Sequence, residues 1–187
     1  MQAATQEYGV VLESGAVRFE RLLPGPIERV WAYLTESDKR ATWFAGGDFD
    51  LRPGGEAKLL FKHSVITDEA PPERYREMND NGIWATERIL RCEPPHVLAI
   101  SWGGENEPDS EVTFELAERG DKVSLVLTHR QIASVASMRS FSGGWHIHLG
   151  ILEDVLANRP KRGFWSAFET VEAEYARRIG EDTEQRR

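Results

Sequence analysis

Residues 110–130, SEVTFELAERGDKVSLVLTHR, followed after a short loop by residues 143–156, GGWHIHLGILEDVL, decide the fold. The first stretch alternates: Val112, Phe114 and Leu116 share one side against Glu111, Thr113 and Glu115. A turn at Arg119-Gly120-Asp121 returns the chain with Val123, Leu125, Leu127 and His129 in phase, the pattern of a hairpin with one apolar face. His129 points inward at the strand's end by that phase. From Phe141 the period changes to 3.6: Phe141, Leu149, Leu152 and Leu156 fall in a narrow arc around Trp145, His148 on its flank and His146 on the other side near Glu153. A one-faced sheet followed by a helix with a matching stripe predicts a sheet gripping a helix. Trp145, His129 and His148 lie where the two meet.

Working outward, the same two periods organise the chain. Residues 16–23 predict a first strand, ended by Pro24-Gly25-Pro26; Pro26 suits a first helical position, where its missing N–H costs nothing. Ile27, Val30, Trp31 and Leu34 give an amphipathic helix, and Ser37 begins a second short one running to about Phe44. GDFDL and EAKLLF flank Arg52-Pro53-Gly54-Gly55 and predict a hairpin, in which Ala57, Leu59 and Phe61 face inward. GIWATERILRCE and HVLAISWGG add a meander pair, with Leu98, Ile100 and Trp102 alternating. Pro160 and Gly163 interrupt the long helix before a second stripe, Phe164, Phe168, Val171, Tyr175 and Ile179, which covers the sheet's end or serves a dimer. Residues 1–13 read as a flexible arm, 14–179 as one domain and 180–187 as a charged tail.

Composition narrows the classes of function. A chain of 187 residues suits one domain, which at this size buries roughly 70% of the unfolded surface. Its single cysteine, Cys92, excludes an intrachain disulfide and a cysteine-based zinc site, and fits a reducing cytoplasm. No signal-type or membrane-length apolar run appears. A net charge of −8 without a basic stripe opposes nucleic-acid binding; Arg159, Lys161 and Arg162 around Pro160 read as a solvated turn.

The ordered blocks VWAYLTESDKRATWF, LRPGGEAKLLF, ERILRCEPPHVLAISW, SEVTFEL, VSLVLTHR and GGWHIHLGILEDVL resemble successive parts of the START-like SRPBCC superfamily. Within it they resemble the branch of activator of heat-shock-protein ATPase homologues, the AHSA-type domains, over about residues 17–179. The resemblance implies an α+β helix-grip fold: a curved antiparallel sheet of about six or seven strands around a long C-terminal helix, with two small helices between strands one and two. It also implies a deep apolar cavity, occupied by different hydrophobic molecules in different relatives. Some relatives are cyclases, some carriers, and the co-chaperone that names the branch works by protein contact; fold alone does not choose among them.

Trp43, Phe61, Trp102, Phe114, Leu127, His129, Trp145, His148, Leu149 and Leu152 are therefore the candidate ligand-binding residues. Rigid aromatic surface suits apolar rings, and core filling accounts equally for the tryptophans. The histidines would orient a polar group; for catalysis, core histidines bonded to backbone or to each other are favoured, because no third orienting group can be placed by phase. No metal is expected, since His146 and His148 diverge on a helix and no HExxH occurs. Cys92 lacks an activating base, and neither glycine pair is a phosphate loop. The leading expectation is a cofactor-free binder of a small hydrophobic or aromatic molecule, monomeric or homodimeric. A protein-interaction module of the co-chaperone type and a polyketide-cyclase-like or hydrolase-like enzyme using a cavity histidine are the alternatives. Residues 63–81 and 130–142, read as long loops, would border the cavity mouth as lids.

Overall fold

The computed structural model describes residues 8–12, 15–104 and 107–184. Seven strands, β1 (Val10–Leu12), β2 (Ala16–Pro24), β3 (Glu56–Phe61), β4 (Ile83–Glu93), β5 (Val97–Gly104), β6 (Glu107–Arg119) and β7 (Lys122–Arg130), form one antiparallel sheet in the order β1-β2-β7-β6-β5-β4-β3. Helices α1 (Ile27–Thr35) and α2 (Ser37–Ala41) lie between β2 and β3, and α4 (Val135–Leu156) and α5 (Trp165–Glu184) follow the sheet. Residues 63–81 hold two short 3-10 turns and α3 (Arg76–Asp80). This is the helix-grip architecture. No helix among the described residues is long and apolar enough to cross a membrane.

Register explains the inner face. Phe19 pairs with Leu127, Leu127 with Phe114 and Phe114 with Leu98, giving a row of buried apolar side chains across four strands; each contributes roughly 1.5–3 kcal/mol by burial. The adjacent row runs Val17, His129, Val112 and Ile100, so His129 is its single polar member. Register shifts at Ile89/Arg91 and Trp102/Gly104 bend the outer strands, as bulges do. α4 buries Trp145, Leu149, Leu152 and Leu156 in the core cluster.

Several elements differ from the sequence reading. Residues 10–12, assigned there to an arm, form edge strand β1 on Ala16–Arg18; three residues are too short to show a period. Residues 1–7 and 13–14 of that arm lie outside the described residues, as do 185–187 of the tail, whose remainder continues α5 to Glu184. α2 stops at Ala41, and Ser37 Oγ does not cap it but accepts from the Gly47 N–H at 2.9 Å. The GDFDL arm and the glycine before it form no named strand and make only isolated bridges, Gly46 to Leu60 and Phe49 to Ala57.

Besides its backbone hydrogen bonds to β3, that irregular arm is held by Arg40, 2% exposed. Its guanidinium donates to the carbonyls of Ala45 and Thr35, each at 2.9 Å, and also to that of Gly47, and lies 3.6 Å from the Phe49 ring centroid. Burial lowers its pKa to about 10, so it stays charged at neutral pH and satisfies carbonyls that no ladder reaches.

The long helix begins earlier than its stripe. Ser134 caps it, accepting from Ser137 N at 3.0 Å, and Val135 is the first helical residue. The expected loop 130–142 thus shrinks to a few residues, and Gly143-Gly144 lie inside α4 rather than at its entrance. α5 packs its stripe, Val171, Tyr175 and Ile179, into the same core as α4, leaving that stripe no free face for a dimer. Arg159 and Arg162, read as solvated, both bind the buried Asp154 carboxylate, at 2.9 and 2.7 Å. Burial works against that ionised carboxyl, but the hydrogen bonds and charge of Arg162, then the charge of Arg159, hold its pKa below the usual value. The α4–α5 connection is tied down by this cluster.

Candidate functional site

The curved sheet and α4 do not close completely. Between them lies a pocket of about 230 Å³. Phe44, Phe61 and Trp102 form its sheet side; Phe141, Gly143, Gly144, Trp145 and His148 its α4 side. His63, Tyr75 and Met78 from the 63–81 segment and Phe164, Trp165 and Phe168 at the start of α5 complete the wall. The rings hold one another: Phe44 lies 5.9 Å from Trp102 and 5.0 Å from Trp145, and Tyr75 stacks on Trp165 at 5.3 Å. Such contacts make the lining rigid. Gly143 and Gly144 are open: a Cβ at either would meet nothing within 4 Å.

Two histidines form the polar end. His148 Nδ1 lies 2.7 Å from the Trp43 carbonyl oxygen. A carbonyl only accepts, so Nδ1 carries the proton and Nε2 keeps its lone pair. His63, 4% exposed, sits with its ring centroid 5.4 Å from that of His148, and its buried Nδ1 has no hydrogen-bond partner. Burial, and then the neighbouring His148, push the His63 pKa down to about 3. Burial lowers His148 to about 4 against the opposing pull of the Trp43 carbonyl. Both rings are neutral at pH 7.

His129 is arranged differently. The Trp145 indole N–H donates to its Nδ1 at 3.1 Å, which puts the ring proton on Nε2, 2.7 Å from Ser110 Oγ. Ser110 in turn donates to the Trp102 carbonyl at 2.6 Å. Donor meets acceptor at every link, so both nitrogens of His129 are occupied. The chain joins Trp102 and Trp145 of the pocket wall from behind.

Of the residues expected from sequence, Phe61, Trp102, Trp145 and His148 line the pocket together. Trp43, Phe114, Leu127, His129, Leu149 and Leu152 do not; they are buried behind the lining. Phase finds the inner face, but it does not separate the layer that meets the cavity from the layer beneath. Trp43, for example, turns its N–H to the Tyr33 carbonyl at 2.8 Å and supports Phe44 by stacking. Sequence reasoning missed Phe44, His63, Tyr75, Met78, Arg139 and Trp165 as lining residues. Their sequence signal was the concentration of aromatic and histidine side chains in otherwise aperiodic stretches. Cys92 is half-buried, and burial raises its thiol pKa, so it is no ready nucleophile. Among the described residues no group of three or more His, Cys, Asp or Glu could hold a metal ion.

Residues 24–157 match the model of the family described as activator of Hsp90 ATPase homolog 1-like protein. Among solved structures, the protein encoded by gene BPP1335 from Bordetella parapertussis is 45% identical, with 95% of each chain covered and a TM-score of 0.79. CalU16 from Micromonospora echinospora is 26% identical over 92% of this chain and 94% of its own, with a TM-score of 0.66. EF2215 from Enterococcus faecalis, a conserved protein of unknown function, is similar in fold at 18% identity, 92% and 90% coverage and a TM-score of 0.68. No curated protein matches.

Proposed function

Since the chain belongs to the activator of Hsp90 ATPase homolog 1-like family, we propose that it binds a small hydrophobic or aromatic molecule in the pocket between the sheet and α4. One observation carries this reading: Gly143 and Gly144, adjacent in the interior of α4, leave open space where side chains would stand. Glycine inside a helix costs roughly 1 kcal/mol relative to alanine, and neither position has a neighbour that would clash with a methyl group. Packing gives no reason for them; a ligand does. The volume sets its size, since a cavity of about 150 Å³ takes benzene, and about 230 Å³ suits one or two rings rather than a long chain or a four-ring skeleton.

Residues 63–81 act as the lid. They are fastened to α5 through Trp165 Nε1 donating to Asn79 Oδ1 at 3.0 Å and Ser166 N donating to Glu69 at 3.0 Å, contacts that can open without disturbing the sheet.

Native mass spectrometry of the protein purified from its own host, followed by titration of the recovered molecule against tryptophan fluorescence, tests the reading. A bound molecule that quenches the wild type and not Gly143→Leu is expected. If nothing co-purifies and a broad hydrophobic library moves neither the fluorescence nor the thermal midpoint, the reading fails.

A further inference from the structure

The pocket is not uniformly apolar, and its polar groups sit at separated places along α4. Arg139 lines it near the helix start; its Nε is buried without a hydrogen-bond partner, and its guanidinium makes no ion pair among the described residues. The carboxylate in the same lining, Glu172, is paired with Arg74 at 3.0 Å. Among the described residues this arginine, partly withdrawn from water beside aromatic rings, has no counter-charge, which such a group favours. Its planar fork matches a carboxylate.

His148 lies nine residues further along α4, a rise of about 13 Å. Its Nε2, with the ring proton held on Nδ1, presents a lone pair. His63, beside it, has a buried Nδ1 without a hydrogen-bond partner. Gly143 and Gly144 occupy the interval, with Trp145 completing the α4 wall. A cation at one end, an acceptor at the other and an apolar floor between them define a ligand.

Resting on the reading that this pocket is a ligand site, we propose that its ligand class is a one- or two-ring aromatic carboxylate with a hydroxyl at the far end. The carboxylate pairs with Arg139 and the hydroxyl donates to His148 Nε2.

Calorimetric titration with 6-hydroxy-2-naphthoate, its methyl ester and 2-naphthoate tests the assignment. The hydroxy acid should bind at least about tenfold tighter than either of the others, because each comparison removes one charge-assisted or buried hydrogen bond. Added salt should weaken the acids and leave the ester unchanged. Arg139→Gln should erase the preference for acid over ester without weakening the ester, and Arg139→Lys should retain part of it. Equal binding of acid and ester to the wild type, or equal weakening of both by Arg139→Gln, overturns the carboxylate assignment and leaves the ligand site standing. Equal binding of the hydroxy acid and 2-naphthoate overturns the role of His148. Failure of all three probes to bind at millimolar concentration overturns the ligand class and counts against the ligand site itself.

Discussion

Trp145 Nε1 donates its proton to His129 Nδ1 at 3.1 Å, in a part of the core where His129 is fully buried. The bond sets the tautomer of His129 and fixes the plane of the indole that walls the pocket. His129→Phe would leave the Trp145 N–H buried without an acceptor. It should destabilise the protein by about 2–3 kcal/mol in urea titrations and shift the tryptophan emission. An unchanged urea midpoint would mean that the relay contributes nothing.

Three of the buried histidines, His63, His129 and His148, make stability depend on pH. His63 and His129 have folded pKa values near 3 and His148 near 4, all lowered from 6.5, with burial the main cause. The stability they supply is complete above the unfolded value and is lost as pH falls from about 6.5 toward 3, because the unfolded chain binds protons that the folded one refuses. At pH 5 unfolding should take up nearly three protons from this source, a slope of at most about 4 kcal/mol per pH unit. Urea titrations from pH 7 to 4.5 measure it. An uptake below one proton would contradict the burial of these rings.

Gly143→Ala should separate stability from binding. A methyl group there meets open space, so the variant should gain roughly 1 kcal/mol in helix propensity and a higher thermal midpoint. Gly143→Leu should in addition block the pocket and abolish titration by any aromatic probe. A leucine variant that still binds would move the site elsewhere.

Arg40 should tolerate neither loss nor conservative exchange. Arg40→Met leaves several inward-facing carbonyls without donors and should cost about 3 kcal/mol or more. Arg40→Lys keeps the charge but not the fork and should recover less than half of the loss. Chemical denaturation of the two variants decides this, and full rescue by lysine would show that charge alone matters there.

Much of the fold was legible because the strands alternate cleanly and α4 changes the period. The phase of β7 placed His129 inward correctly. It could not reveal that both of its nitrogens are taken, since Trp145 and Ser110 lie 16 and 19 residues away in the chain. The first turns of α4, with Val135 exposed and Ser137 buried, show no apolar stripe, so the sequence reads there as loop. His63 belongs to a segment without any period, and only its fold onto His148 and Phe164, with ring centroids 5.4 and 4.4 Å away, makes it part of the site. Arg159 and Arg162 read as solvent-facing because their partner Asp154 precedes a proline and a glycine that conceal the chain's return.

The last described helix, α5, contributes Trp165 and Phe168 to the pocket, with Phe164 just before it. Its Tyr175 hydroxyl also accepts the N–H of Gly9 at 2.8 Å, across 166 positions of sequence. During synthesis, the amino-terminal segment must therefore wait for nearly the whole chain to emerge before this latch can form. A chain ending before residue 164 would contain the sheet and all of α4 but an incomplete pocket, so the pocket is completed only once the carboxy-terminal helix has been made.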